Sequence, residues 1–172
     1  MCAILTGMDA EHARAYLLTL PYVVETGSET RRWGDKLVFR VGGRVGGRVG
    51  SQEDGGKMFA QFDFEEDGQA VLSFAAGPEG FRELLEREGV VPAPYRARIH
   101  WVALKDWGVF GRAELEELLR RAHALTYAKL PKRTRSCLRR LADRDHRYSA
   151  VTGVAPRFAR RDLFRSSGGA LR

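Results

Sequence analysis

A glycine- and arginine-rich stretch, residues 37–62, is where the sequence first suggests chemistry. It reads LVFRVGGRVGGRVGSQEDGGKMFAQF, with Gly-Gly-Arg-Val present twice and another Gly-Gly pair before Lys57. A loop that binds nucleotide phosphates needs a glycine, four residues and then Gly-Lys-Ser/Thr, because backbone amides, lysine and a magnesium-bound hydroxyl act together. The first glycine position is Ser51 here, and Met58 stands where the hydroxyl is needed. We therefore predict a long surface connection between two strands, which tolerates a small duplication at little cost.

The histidines and cysteines do not have the spacing of a metal site. No His-x-x-x-His pair or Cys-x-x-Cys group occurs, and Cys2 and Cys137 form no disulfide framework. Folding could bring Ser73 or Ser149 to His100 as a nucleophile and base, but the Gly-x-Ser-x-Gly elbow is absent and nothing selects either pair. We expect a non-enzymatic protein without catalytic residues, metal or cofactor.

The pair His100-Trp101 lies in a β-prone run, residues 98–104. If this run is a strand, Arg98 and His100 share one face and Trp101 lies on the other, because successive side chains of a strand alternate. Two interpretations stay open. Either one ring is core and the histidine is half-buried and hydrogen-bonded, or Arg96 and Arg98 join the rings in a basic, aromatic surface.

Helix and strand patterns alternate along the chain. Asp9 can cap a first helix that stops at Pro21, a second helix lies between Gly77 and Gly89, and the clearest helix, about 112–129, ends before Pro131. Residues 27–30 break the first extended run, and residues 90–97 form a loop. We predict strands over 22–25, 37–41, 57–64, 70–76 and 98–104. One face of the strand over 57–64 is formed by Met58, Ala60, Phe62 and Phe64. The core stripe of the last helix is formed by Leu115, Leu118, Leu119, Ala122 and Leu125.

This order predicts an α+β fold, a single domain with a mainly antiparallel sheet and a basic C-terminal tail. We assign residues 1–8 to an N-terminal extension, 9–135 to the domain and 136–172 to the tail. Leu138, Leu141 and Ala142 support one basic amphipathic helix in the tail, and disorder is expected from Ser149 onward.

The positive charge is concentrated in that tail. Residues 132–172 hold 12 Lys+Arg and 3 Asp+Glu, a net +9, so the other 131 residues have a net charge of −2 within the total of +7. Such an asymmetry indicates a segment that meets polyanions, nucleic acid before an anionic membrane. Arginine outnumbers lysine 24 to 5 throughout, however, so a composition bias explains part of it. With no apolar run near the roughly 20 residues that span a bilayer and no signal peptide, a cytoplasmic protein without membrane contact is expected.

Several short motifs occur in an order that resembles the MmcQ/YjbR family of small bacterial proteins, over about residues 9–135. They are Leu18-Thr19-Leu20-Pro21, Val24-Glu25-Thr26, Trp33-Gly34-Asp35, Gly56-Lys57-Met58-Phe59-Ala60, Gly77-Pro78-Glu79, Pro94-Tyr95, His100-Trp101 and Lys129-Leu130-Pro131-Lys132. The resemblance implies an antiparallel sheet with helices packed on one side, similar to frataxin-like and secretion-chaperone-like folds. It also implies DNA binding, with sheet hairpins as wings against the duplex, and it brings no catalytic residues.

From the residues and the resemblance together, we expect a DNA-binding protein that contacts the duplex mainly through arginine–phosphate and lysine–phosphate contacts, with little base readout. The alternative is a module that binds a small ligand or a protein partner in a pocket near Trp33, His100 and Trp101, which the near-neutral body favours. The candidate DNA-binding residues are Arg44, Arg48, Lys57, Arg96, Arg98, Lys132, Arg133 and Arg135.

Overall fold

The computed structural model describes residues 8–28, 36–42, 56–63 and 70–152, and for residues 27–28, 141 and 144–152 it describes the backbone alone. Ten helices and strands follow one another in this part of the chain, with short 3-10 turns at Ala97–Ile99 and Trp107–Val109. In order they are α1 Ala10–Thr19, β1 Val23–Ser28, β2 Lys36–Val41, β3 Lys57–Asp63, β4 Leu72–Ala75, α2 Gly77–Leu85, β5 Val90–Pro92, β6 Trp101–Leu104, α3 Arg112–Ala128 and α4 Lys132–Thr152.

The six strands form one antiparallel sheet in the order β1-β2-β3-β4-β6-β5. Helix α3 packs on β2, β3 and β4, α1 packs on β1 and α3, and α2 packs on β5 and β6. A Cβ atom added to Gly77 of α2 would lie 3.1 Å from a methyl carbon of Leu125 in α3, so these two helices also meet. The predicted α+β class, with an antiparallel sheet and helices on one side, is confirmed.

The buried face of α3 differs in part from the predicted stripe. The buried positions of α3 recur at spacings of four, three and four residues, at Leu115, Leu119, Ala122 and Thr126. Residues with this spacing lie along one side of a helix with 3.6 residues per turn. Leu125 lies beside that line, at 37% exposure, so its predicted place in the core is wrong, and Leu118 is half-buried. The stripe that the sheet covers consists of Leu115, Leu119, Ala122, His123 and Thr126.

A β-bulge in β3 changes which side chains reach the helices. Ala60 pairs with Phe39 and Met58 pairs with Arg40, which leaves Phe59 as an extra residue opposite the register shift. Phe59 is fully buried, and its ring meets the ring of His123 edge-on at 5.3 Å. Simple alternation predicts that Met58 shares the face of Ala60, and this prediction is wrong because the extra residue breaks the alternation.

The predicted strand over residues 98–104 is wrong in its first half. Residues Ala97–Ile99 form a 3-10 turn, in which the N–H of Ile99 donates to Arg96 O and that of His100 to Ala97 O. His100 then takes a left-handed backbone conformation, with φ 60°. Because local turn bonds replace the strand ladder, Arg98 and His100 do not alternate with Trp101–Leu104 across the sheet.

Three other boundaries are corrected. Gly27 and Ser28 pair with Leu37 and Lys36, so β1 continues into the predicted break. The predicted loop over residues 90–97 contains β5, which pairs with β6 and ends at Pro92. Helix α4 runs to Thr152. The prediction of disorder from Ser149 onward is therefore wrong for residues 149–152.

The chain divides into two compact units, Met1–Leu130 and Pro131–Arg172. The sheet and α1–α3 belong to the first unit and α4 to the second. Met8, assigned from the sequence to an N-terminal extension, is buried with only 3% of its surface exposed. Among the residues that the structure describes, no helix combines the length and the apolar character that crossing a bilayer requires.

Candidate anion-binding surface

Arg96 occupies the turn between β5 and β6 and is held by its backbone. Its N–H donates to Ala93 O at 3.1 Å, and its own carbonyl oxygen accepts from the N–H groups of Ile99 and Trp101. The guanidinium lies 4.9 Å from the centre of the Trp101 ring, a cation–π arrangement. Its Nη1 donates to the Sδ atom of Met58 at 3.0 Å, a weak acceptor. These backbone hydrogen bonds fix the main chain of Arg96, and the contacts with Trp101 and Met58 orient its guanidinium.

Arg40 lies next to Arg96. It pairs with Met58 across β2 and β3, and Met58 is the residue whose sulfur accepts from Arg96. Burial lowers the pKa of the Arg96 guanidinium, and the positive charge of Arg40 lowers it further. Both arginines are half-buried. We refer to Arg40 and Arg96 as the arginine pair.

The arginine pair lies on the face of the sheet opposite α3. Ala60, Phe74 and Val102 occupy one row across three strands, so their side chains share a face. Trp101 precedes Val102 and therefore points to the opposite face, where Arg96 covers it. The bulge turns Phe59 toward α3 and leaves Met58 on the other face of the sheet. Met58 and its cross-strand partner Arg40 therefore lie on the same face as Trp101.

Two exposed apolar side chains project from the same turn. Tyr95 is 97% exposed and has a left-handed backbone, with φ 60°, and Ile99 is 59% exposed. A non-glycine residue with positive φ is uncommon and costs conformational energy, which makes this turn a candidate for function. Arg98, between them in the chain, is exposed as well.

Carboxylates neutralise many of the other cations of the first unit. Arg14 pairs with Glu25, Lys36 with Asp63, and Arg87 with Glu114. On α3, Arg112 pairs with Glu116, and Glu117 takes both Arg120 and Arg121. Within the described ranges, Arg40, Arg96 and Arg98 have no carboxylate partner of this kind.

Lys57 caps a helix. Its Nζ donates to the carbonyl oxygen of Lys129 at 2.9 Å, just past the C-terminal end of α3. A cation at this position is stabilised by the helix dipole and by a carbonyl that has no partner within the helix. Lys57, one of the candidate DNA-binding residues, therefore already has a structural contact.

The second unit places its own cations along the start of α4. Lys132 and Arg133 are exposed, as are Arg139 and Arg140 about two turns farther on. Arg135 is half-buried, and its Nε has no hydrogen-bond partner in the described part of the chain although it is shielded from solvent.

The remaining sequence candidates fall into two groups. Arg44, Arg48 and Trp33 lie outside the described residues, as does the predicted glycine-rich connection. His100 and Trp101 lie against different neighbours: the His100 ring meets Phe81 of α2 edge-on at 5.7 Å, whereas Trp101 is covered by Arg96. The structure does not bring these two rings to one pocket.

The other residues that define this surface, Arg40 and Met58, were not predicted as site residues from the sequence. Arg40 is a single cation inside the apolar run Leu37–Val41, and such an interruption could have marked it. Met58 gave no such signal, because only the bulge turns its sulfur toward Arg96. Ser73, considered as a nucleophile, is buried in β4, and the side chain of Ser149 is not described.

A family model described as YjbR matches residues 18–125, more than half of the chain. No curated protein and no solved structure matches the chain. The matched residues include β1 to β6 and most of α3, and so the whole sheet that carries the arginine pair.

Proposed function

The chain belongs to the YjbR family, and on that premise we propose that it is a non-enzymatic protein that binds duplex DNA through arginine–phosphate contacts, with little base readout. The observation that carries the proposal is a set of cations, in and beside the turn between β5 and β6, that have no carboxylate partner among the described residues. Arg98 is exposed there, next to Arg96 and Arg40. Elsewhere on the first unit, many cations are already neutralised within the protein.

The phosphate backbone is the anion that matches such a surface. Arginine presents several N–H donors in a planar fork that fits phosphate oxygens, and it stays charged at any physiological pH. The cations at the start of α4, Lys132 and Arg133, would add further phosphate contacts. No sequence preference follows from these contacts, because phosphates are the same at every base pair.

The experiment is a fluorescence-anisotropy titration of a labelled duplex with the full chain at several salt concentrations. We expect the logarithm of the binding constant to fall linearly with the logarithm of salt concentration, and sequence changes in the duplex to have little effect. Arg98→Gln should lower the salt slope by about one, the signature of one lost phosphate contact. Arg82→Gln, the same charge change at an exposed position on α2, is the matched control and should leave the slope unchanged.

Two results would contradict the proposal. One is the absence of duplex binding at low salt. The other is duplex binding that Arg98→Gln leaves unchanged while Lys132→Gln with Arg133→Gln abolishes it, which would assign DNA binding to α4 and not to the sheet unit.

A protein partner is the second candidate, because Tyr95 and Ile99 are exposed at the same turn. Tyrosine and arginine are the residue types most enriched at the energetic centre of protein interfaces. DNA binding and protein binding predict different effects for the loss of the Tyr95 ring. Tyr95→Ala should leave the salt-dependent DNA affinity nearly unchanged if phosphate contacts dominate, whereas an interface centred on the turn needs the tyrosine ring.

A further inference from the structure

The arginine pair has no counter-charge among the residues that the structure describes. Two half-buried cations that lie close together repel one another, and partial burial removes some of the water that would screen them. In the part of the chain that the structure describes, neither Arg40 nor Arg96 forms an ion pair. Folding therefore leaves an electrostatic cost at this point of the sheet that a bound anion would offset.

Arg96 is also arranged to receive a ligand. Hydrogen bonds at its N–H and its carbonyl oxygen fix its backbone, and the Trp101 ring supports its guanidinium plane from one side. Only Nη1 has a protein partner among the described residues, the weakly accepting sulfur of Met58. Nε and Nη2 of Arg96 have no partner among the described residues, and neither is fully shielded from solvent. Their N–H groups can therefore reach an outside acceptor.

We infer that Arg40 and Arg96 together bind a single phosphate group, held over Met58 and beside Trp101 on the sheet face opposite α3. A phosphate group suits the pair because it carries up to two negative charges and several acceptor oxygens, enough for both guanidinium groups. A fixed arginine loses little side-chain entropy when it binds, which favours a defined site over diffuse attraction.

The inference goes beyond the proposed function, since one phosphate site does not require a duplex surface. Two sources supply the same chemistry: free inorganic phosphate and the 5′-terminal phosphate of a nucleic acid strand. A duplex offers chiefly internal phosphodiesters, which carry one charge each. The duplex titration above and the experiment below can therefore succeed or fail independently.

The test follows the Nε–H signal of Arg96 and the indole N–H signal of Trp101 by NMR while inorganic phosphate is added to the full chain. Sodium chloride at matched ionic strength is the reference. We expect saturable shifts of both signals with phosphate and none with chloride. Shifts that grow linearly with ion concentration, or equally for both salts, would overturn the inference.

Two variants assign the site. Arg40→Gln should weaken phosphate binding about tenfold or more, because it removes one charged donor group. Arg82→Gln removes the same charge from α2 and should have no effect. If Arg40→Gln keeps the wild-type affinity, the pair is not the site; if it unfolds, Arg40→Lys, which keeps the charge and loses the planar fork, should still weaken binding. Wild-type affinity in Arg40→Lys would then overturn the assignment.

A further comparison separates the two sources. A short oligonucleotide with a 5′-phosphate and the same oligonucleotide with a 5′-hydroxyl are titrated in turn. Competition with inorganic phosphate by the first and not by the second identifies a strand end as a ligand of the pair. Equal competition by both would mean that the pair does not distinguish a terminal phosphate from an internal one, and the single-phosphate assignment fails.

Discussion

The ring of His123 in α3 donates a hydrogen bond from Nε2 to the carbonyl oxygen of Pro21, 2.9 Å away and 102 residues earlier in the chain. A carbonyl oxygen only accepts, so Nε2 carries the proton in the neutral ring. His123 also stacks on Tyr127, which stacks on Tyr22, and its edge meets Phe59. The histidine thereby joins the connection between α1 and β1 to β3 and α3.

The stability of the fold should depend on pH through this residue. Burial lowers the pKa of His123 below its usual value of 6.5, although the hydrogen bond to Pro21 raises it in part. The unfolded chain then takes up the proton more readily than the folded one. The stabilisation is therefore complete above pH 6.5 and declines as the pH falls below 6.5 toward the lowered pKa. Urea unfolding at pH 7 and at pH 5 measures it.

His123→Gln should flatten this difference, because the titrating ring is gone. An unchanged difference between pH 7 and pH 5 in His123→Gln would show that another group is responsible.

The β-bulge predicts unequal effects for two neighbouring residues. Phe59→Ala should lower the free energy of unfolding by about 3–5 kcal/mol, because it removes a fully buried ring and leaves a cavity beside α3. Met58→Ala should cost clearly less, since Met58 is half-buried on the other face. Chemical denaturation of both variants decides between the bulge and simple alternation, which predicts the reverse order.

Glycine substitutions should have opposite signs at two positions. Gly89 has φ +84°, and an added Cβ would lie 2.6 Å from a methyl carbon of Val109, so Gly89→Ala should destabilise by about 1–3 kcal/mol. In Gly80→Ala the new methyl lies 3.8 Å from the side chain of Ala76, the residue that precedes α2, which is an ordinary contact distance. That variant should stabilise by about 0.5–1 kcal/mol through helix propensity. Equal effects in thermal unfolding would contradict the geometry at Gly89.

Lys57 should matter for stability. Lys57→Gln removes the charged donor to Lys129 O at the end of α3 and should lower the free energy of unfolding by about 0.3–1 kcal/mol at low salt. The difference should shrink in high salt, because salt screens the charge. Lys105→Gln, at another exposed lysine, is the control and should be neutral. A loss of the same size at Lys105 would rule out a specific cap.

Local signals in the sequence predicted most of the elements, and long-range packing decided the rest. The apolar spacing of α3 and the proline after it defined that helix, and alternation defined the hairpins. No residue type indicates that Tyr95 and His100 take positive φ, because glycine is the usual sign of that conformation. The proximity of Arg40 to Arg96 depends on the bulge and on the place of β6 between β4 and β5, and neither is written in any short stretch of sequence.

The position of α3 at the end of the first unit has a consequence for synthesis. This helix covers the centre of the sheet, yet it is the last element of that unit to leave the ribosome. Until it emerges, Phe59 and the rows around it have no helix against them, and the contact between His123 and Pro21 cannot form. The nascent sheet is thus most open to wrong partners just before α3 is complete, the interval in which a chaperone has most to protect.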